Sequence, residues 1–175
     1  MEKWDVLDAQ GVTVGRTVVR GQTALKSGEY HLVVHIWVVS DNGRFLIQRR
    51  SDKKRLMPGE WAAIGGSAIL GETSFCAAQR ELLEEMGIRL VERRSKLVNR
   101  IKKRNSFIDV WLTNSNVPLS QLTLRPSEVA AAKWVSKDEL VDMLQSGQFH
   151  QYGKEYFDTL FGCVKDFMYE LECKR

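Results

Sequence analysis

Residues 66–88 read GSAILGETSFCAAQRELLEEMGI, and this stretch decides the fold. It predicts a helix from about Thr73 to Met86 that stops at Gly87, a residue suited to the left-handed turn after a helix. Each helical residue turns by about 100°, so Glu81, Glu84 and Glu85 share one face. Phe75, Leu82 and Met86, with Gln79 among them, form a second face that can pack on a sheet. Ser74 and Ala77 lie beside the acidic arc, and their small side chains leave room there. Three crowded carboxylates repel one another by a few tenths of a kcal/mol per pair, roughly, on an exposed helix. They also sit near the helix C-terminus, the unfavourable end for negative charge. Pairing with Arg80 can offset that cost, as can a hard divalent cation that prefers oxygen ligands. A solvated acidic face is the remaining alternative.

Upstream, His31 to Val39 (HLVVHIWVV) is rich in β-branched and aromatic residues and predicts a strand, followed by a second at Phe45 to Gln48. Asp41-Asn42-Gly43 between them carries the Asn-Gly signal of a hairpin turn. Arg50 to Glu60, with Pro58-Gly59, is a loop, and Trp61 to Ile64 a short strand running into Gly65-Gly66. Residues 1–29 read as a hairpin-like extension: Trp4 to Leu7, a turn over Asp8 to Gly11, then Val12 to Val19. Downstream, strands are expected at Leu97 to Ile101, Phe107 to Leu112 and Val129 to Val135. Ser136 is placed to cap a helix over Lys137 to Gln145. Apolar residues at 157, 160, 161, 164, 168 and 171 mark an amphipathic helix over 156–171, whose stripe covers a sheet or binds a partner. Strands and helices interleave with several hairpins, an α/β pattern with a mixed β-sheet.

The 175 residues suffice for one domain with its own core, and 43% hydrophobic with 27% charged residues is an ordinary globular composition. A net charge of +4 suits an anionic ligand or simple solubility. Cys76, Cys163 and Cys173 form no CxxC pair, which argues against a zinc site or a disulfide framework. The start of the chain lacks the apolar core of a signal peptide, and no apolar run approaches the ~20 residues that span a bilayer. These features point to a cytoplasmic protein with no membrane partner.

From Gly66 the spacing is five residues to Glu72, seven more to Arg80-Glu81-Leu82, one to Glu84-Glu85 and one to Gly87-Ile88. Chance matching of this pattern has a probability on the order of 10⁻⁷ or less at average composition. It resembles the Nudix box at every position. Gln48-Arg49-Arg50-Ser51, Pro58-Gly59-Glu60-Trp61 and Trp134-Val135-Ser136 are similar to the family's flanking pattern, and the first of these most resembles the subgroup related to isopentenyl-diphosphate isomerase. The resemblance implies a Nudix fold, an α/β/α sandwich with a loop-helix-loop box, in a domain over 30–165 that ends in the amphipathic helix. It implies hydrolysis of a small-molecule diphosphate by water attack at phosphorus, with Mg²⁺ or in its place Mn²⁺. Carried over residue by residue, Glu81 and Glu85 would be metal ligands, joined by the Gly66 carbonyl. Glu84 would be a further ligand or the general base, and Arg80 would orient Glu81 and brace Glu72. Gly87 closes the box.

Outside the box, Glu128 in the Arg125 to Glu128 loop is a second ligand or base, or a surface carboxylate. Arg49, Arg50 and Lys54, in the loop before the box, are candidates to reach a substrate phosphate, and Trp61 is a further candidate to bind substrate. Seven cations between Arg93 and Arg104 either hold anions or form a basic hairpin edge that discourages strand addition. No aromatic residue interleaves them, which argues against nucleic acid as partner. His31, His35 and His150 are read as structural or exposed. Three rivals remain: a silent nucleotide-sensing module, an RNA-processing enzyme, and an isomerase of isopentenyl diphosphate. The isomerase's chemistry relies on a cysteine followed by a histidine between the Pro-Gly turn and the acidic helix, and here Glu60 to Ile64 contains neither. Neither the N-terminal hairpin nor the C-terminal stripe can be assigned to a dimer interface.

Overall fold

A computed structural model describes residues 1–173. The strands are β1 (Lys3–Leu7), β2 (Thr13–Val19), β3 (His31–Val39), β4 (Phe45–Arg50), β5 (Trp61–Ala62), β6 (Ile64–Ser67), β7 (Ser95–Lys102), β8 (Ser106–Asn114) and β9 (Val129–Val135). The helices are α1 (Ser74–Met86), α2 (Lys137–Gln145) and α3 (Lys154–Cys173). β1 and β2 form a separate antiparallel hairpin, and the other strands make one mixed sheet in which β3 and β8 run parallel.

β3 organises that sheet because its alternating residues feed two cores. Val34, Ile36 and Val38 pack with Ala77, Ala78, Leu82 and Met86 of α1. Trp37 and Val39 face Leu140 and Met143 of α2 and Phe157, Leu160 and Phe167 of α3. The result is the expected α/β/α sandwich, with α1 on one face and α2 and α3 on the other. The stripe on α3 covers the sheet: Phe161, Val164, Met168 and Leu171 pack against the same core.

Along one edge β3 has two antiparallel partners. Its residues Val33 to Ile36 pair with β6, whereas Val38 and Val39 pair with β4. The chain leaves β5, which pairs with β4, and enters β6, which pairs with β3, so it changes partner at Ala63. That switch splits what the sequence reads as a single strand. Gly65 is required there, because a Cβ would collide with the Val34 carbonyl.

The helix ends follow their signals. Thr73 caps α1 through the Cys76 N–H, Gly87 closes it with φ 73°, and Ser136 with Glu139 forms a capping box at α2. The β3–β4 hairpin differs in detail from a two-residue Asn-Gly turn. Ser40 N–H donates to Arg44, Gly43 N–H donates to Ser40, and only Gly43 has positive φ, so the loop is three residues. The β1–β2 hairpin docks on the start of β3 through Leu7 and Tyr30, which exchange backbone hydrogen bonds. Trp4 stacks on His31 with ring centroids 4.1 Å apart. β7 ends the strand order, so the basic segment does lie on a sheet edge, and three of its cations are engaged there. Arg100 binds Asp109 with both nitrogens, Lys96 binds Glu170, and Lys102 donates to the Ala9 carbonyl.

Candidate active site

A cleft of about 370 Å³ opens where the acidic end of α1, the N-terminal half of β3, the Arg50 to Met57 loop and the Arg125 to Glu128 loop meet. Glu81, Glu84 and Glu85 all line it, and so do Gly66, Arg80, Arg50 and Glu128. The helix presents its acids less evenly than one exposed arc. Glu85 is only 3% exposed, Glu81 is half-buried and Glu84 is open to solvent. Ala77 is fully buried in the core and Ser74 accepts a hydrogen bond from Trp111 Nε1, so neither leaves the room expected beside the acids. Gln79 is exposed rather than part of the packing face. The packing stripe runs instead through Ala78, Leu82 and Met86, with Glu85 carried inward beside them.

Arg80 is the hub. It donates to both Glu72 oxygens at 2.7 and 3.0 Å, to the Ser67 carbonyl at 3.0 Å and to Glu81 at 2.8 Å. These charge-assisted bonds tie the loop before α1 to the helix and orient Glu81. Burial pushes the Glu72 carboxyl up, but hydrogen bonds from Arg80 and from Ile69 N–H outweigh it and leave the carboxyl below its usual range. The Glu81 carboxylate lies over the bare Cα of Gly66, where any side chain would displace it. Gly87 is equally constrained, since a Cβ there would meet Thr123 at 2.9 Å.

Glu85 accepts from Gln48 Nε2 at 2.9 Å. Burial first, and then the Glu81 charge, push its carboxyl up to about 7. Burial also raises Glu81, against the pull of Arg80. Glu84 is paired with Arg125 at 2.9 Å, and Glu128 with Lys54. Among the described residues no three acidic or imidazole side chains converge on one point. The carboxylates of Glu81, Glu84 and Glu85 accept from Arg80, Arg125 and Gln48 respectively. The donor set nonetheless fits a hard divalent ion: it is all oxygen, it is largely buried, and its two inner carboxylates carry more negative charge than their neighbours neutralise.

Two of the residues expected to bind substrate stand elsewhere. β4 alternates, so Gln48 and Arg50 face the α1 side while Arg49 faces the other. Arg49 Nε donates to the Gly59 carbonyl, and its strand partner Trp61 packs on the α2–α3 core under Lys133. Neither lines the cleft. Lys54, expected with Arg50 to reach a substrate phosphate, does line it, and so do residues the sequence did not single out: Trp4 and Arg20 from the N-terminal hairpin, Met57, Arg125 and Tyr152. Met57 holds a positive φ of 52°, uncommon for a side chain of its size. His31 and His35 also belong to the lining. Burial, with Arg20 adding to it, pushes His31 down to about 4. Burial, then His150 and Lys103, push His35 down to about 3, so both rings are neutral. Only the period-2 pattern of β3 could have indicated that His31 and His35 share a face, and it does not reveal which face the cleft opens on.

A sequence profile described as NUDIX domain matches residues 29–158. The chain belongs to the NUDIX domain family. Its relatives include an uncharacterized Nudix hydrolase of Listeria monocytogenes, 39% identical over 153 residues, which cover 87% of this chain and 90% of the relative. An isopentenyl-diphosphate Delta-isomerase of Streptomyces coelicolor is 28% identical over 168 residues, with 93% of this chain and 85% of that one covered. Among solved structures, the DR0079 protein of Deinococcus radiodurans superposes with a TM-score of 0.71 at 23% identity, covering 85% of this chain and 91% of that one. That likeness concerns the fold. The expectation of a Nudix-type pyrophosphohydrolase agrees with membership of the family, and Gly66, Arg80, Glu81, Glu84 and Glu85 all line the cleft. No helix among the described residues is long and apolar enough to cross a membrane.

Proposed function

We propose that this Nudix protein hydrolyses the phosphoanhydride bond of a small-molecule diphosphate, a nucleoside diphosphate derivative in the first instance, by attack of water at phosphorus. The observation that carries this reading is the pairing of half-buried Glu81 and buried Glu85 near the bare Cα of Gly66, with Glu81 braced by Arg80. Burying two carboxylates side by side is costly for a fold, and a divalent cation relieves that cost. Glu81, Glu85 and the Gly66 carbonyl would hold magnesium or manganese. When bound, such an ion offsets the diphosphate charge and lowers the pKa of water.

The chain's own residues supply the rest. Arg80 keeps Glu81 aimed at the cleft and fixes Glu72 behind it. Arg50, Lys54 and Arg125 line the mouth as cations that attract phosphate oxygens. Glu84 and Glu128 are the two carboxylates placed to take the proton of the attacking water, or to act as further ligands. The three cysteines are unpaired thiols, which supports a reducing, cytoplasmic setting.

Isomerisation of isopentenyl diphosphate, the activity in the name of the Streptomyces relative, is disfavoured on geometry. Cys76 lies exposed on α1, Cys163 on α3 faces the Val98 carbonyl, and neither reaches the cleft. The test is a panel of nucleoside di- and triphosphates, nucleotide sugars and isopentenyl diphosphate, incubated with magnesium and followed by phosphorus NMR. Monophosphate products that disappear when the metal is chelated support hydrolysis. An intact fold with no turnover of any compound opposes it and favours a sensing module.

A further inference from the structure

Behind the cleft runs a chain of hydrogen bonds whose direction can be worked out. Trp37 Nε1 can only donate, and it donates to Tyr156 Oη at 2.8 Å. Tyr156 has one hydrogen to place, and the group within reach is His35 Nδ1 at 3.0 Å. Nδ1 therefore accepts, and the ring's single proton sits on Nε2. The other tautomer would strand the buried Tyr156 hydrogen without an acceptor, a costly arrangement. No protein group among the described residues takes the His35 Nε2–H, and His35 lines the cleft.

Tyr152 repeats this design. Its ring centroid lies 4.7 Å from that of His35, and it lines the same cleft. Tyr152 Oη accepts the Ala63 N–H at 3.2 Å. That N–H is free because the chain changes strand partner at Ala63. The hydrogen of Tyr152 Oη has no acceptor in the protein among the described residues. Two neutral donors, Tyr152 held from behind by the Ala63 N–H and His35 by the Tyr156 hydroxyl that Trp37 orients, thus line the cleft that holds Glu81 and Glu85.

We propose that His35 Nε2–H and Tyr152 Oη–H form a donor pair that binds an uncharged oxygen, a carbonyl or hydroxyl, on the group joined to the diphosphate. The pair then decides which diphosphates are accepted. This deepens the hydrolase reading above and rests on it. A neutral acceptor is indicated because the pair offers no positive charge, and the cations of the same cleft, Arg50, Lys54 and Arg125, stand apart from it as the groups for the phosphates. A compound lacking that oxygen leaves both donors unpaired, which is how polar sites reject close analogues.

Two probes test this with magnesium: uridine diphosphate, whose nucleoside carries carbonyl and hydroxyl oxygens, and methyl diphosphate, which has no such group. In the wild type kcat/KM favours uridine diphosphate. Tyr152→Phe and His35→Phe each lower the ratio of the two kcat/KM values about tenfold, mainly through the KM for uridine diphosphate, and His35→Gln, which keeps an amide donor, restores part of it. A ratio unmoved by either phenylalanine variant, or a loss shared equally by both probes, overturns the proposal. A second measurement needs no turnover. In nitrogen-15 NMR of the wild type, His35 reads as the Nε2–H tautomer, and uridine monophosphate shifts its Nε2–H signal whereas methyl phosphate does not. If neither diphosphate is cleaved while that shift occurs, the hydrolase reading fails and the subsite stands. If the Nδ1–H tautomer is found, or no shift appears, the subsite fails whatever the enzyme hydrolyses.

Discussion

At the scale of single residues, the site is held together by charges placed where a fold on its own would not choose them. Glu85 is the clearest case. With its carboxyl pushed up to about 7 by burial and by Glu81, ionising it costs on the order of 3 kcal/mol in the metal-free protein. Glu85→Gln is therefore expected to raise the thermal midpoint of the metal-free protein above pH 7 while lowering kcat/KM for diphosphate hydrolysis by about a thousandfold. A variant that is both less stable and fully active contradicts that trade. Glu84→Gln and Glu128→Gln separate the two candidate bases: the one that takes the water proton loses about 10² to 10⁴ in kcat, read by phosphorus NMR or phosphate release. That the acids share a face was legible from spacing, because a helix turns at a fixed rate, while their roles and that of Arg80 came from the resemblance to the Nudix box. The inequality of the acids was not legible. A helical wheel shows which residues share a face and says nothing of how deeply β4 lies beside one end of it, so Gln48 capping Glu85 could not be foreseen. Arg49 and Arg50 make the same point, since adjacent strand residues face opposite sides and the sequence alone gave no reason to prefer one.

At the scale of elements, the N-terminal hairpin is fastened to the domain through a neutral histidine. His31, 9% exposed, stacks on Trp4, and burial together with Arg20 pushes it down to about 4. Its folded value lies below the ordinary 6.5, so the unfolded chain binds the extra proton, and this contribution to stability is lost as pH falls from about 6.5 to about 4. Urea denaturation across that range should show the wild type losing on the order of 3 kcal/mol relative to His31→Phe. A difference between the two that does not change with pH contradicts the account. The hairpin itself was evident from its two apolar runs and intervening turn. That it reaches the cleft, with Trp4 and Arg20 in the lining, depends on the stacking at His31 and on Leu7 pairing with Tyr30, contacts between segments more than twenty residues apart. The short strand at Trp61 to Ile64 was misjudged for a related reason. Its division at Ala63 follows from the two partners along β3, which no local pattern encodes.

For the whole molecule, the mixed α/β pattern was readable because the strands around β3 carry hydrophobic runs of the right length and Ser136 caps α2 in sequence, while the sandwich itself came from the resemblance to the Nudix family. The basic segment 93–104 includes a sheet edge on which Lys96, Arg100 and Lys102 make contacts within the fold. Asp109 on β8 is fully buried, and Arg100 is the cation that meets it. Arg100→Met should strand that carboxylate and cost about 3–5 kcal/mol of folding stability by urea denaturation, a loss that Arg100→Met with Asp109→Leu largely recovers. Equal instability of the single and double variants contradicts the assignment. At one end of α1, we propose, Glu81 and Glu85 hold a divalent ion. The direct test is manganese binding, followed by electron paramagnetic resonance of the free ion as it is added to metal-free protein. The account predicts saturable uptake by the wild type, strengthened by a diphosphate compound and abolished in the Glu81→Gln, Glu85→Gln double variant. Equal uptake by the double variant and the wild type, or none by either with the diphosphate present, contradicts it.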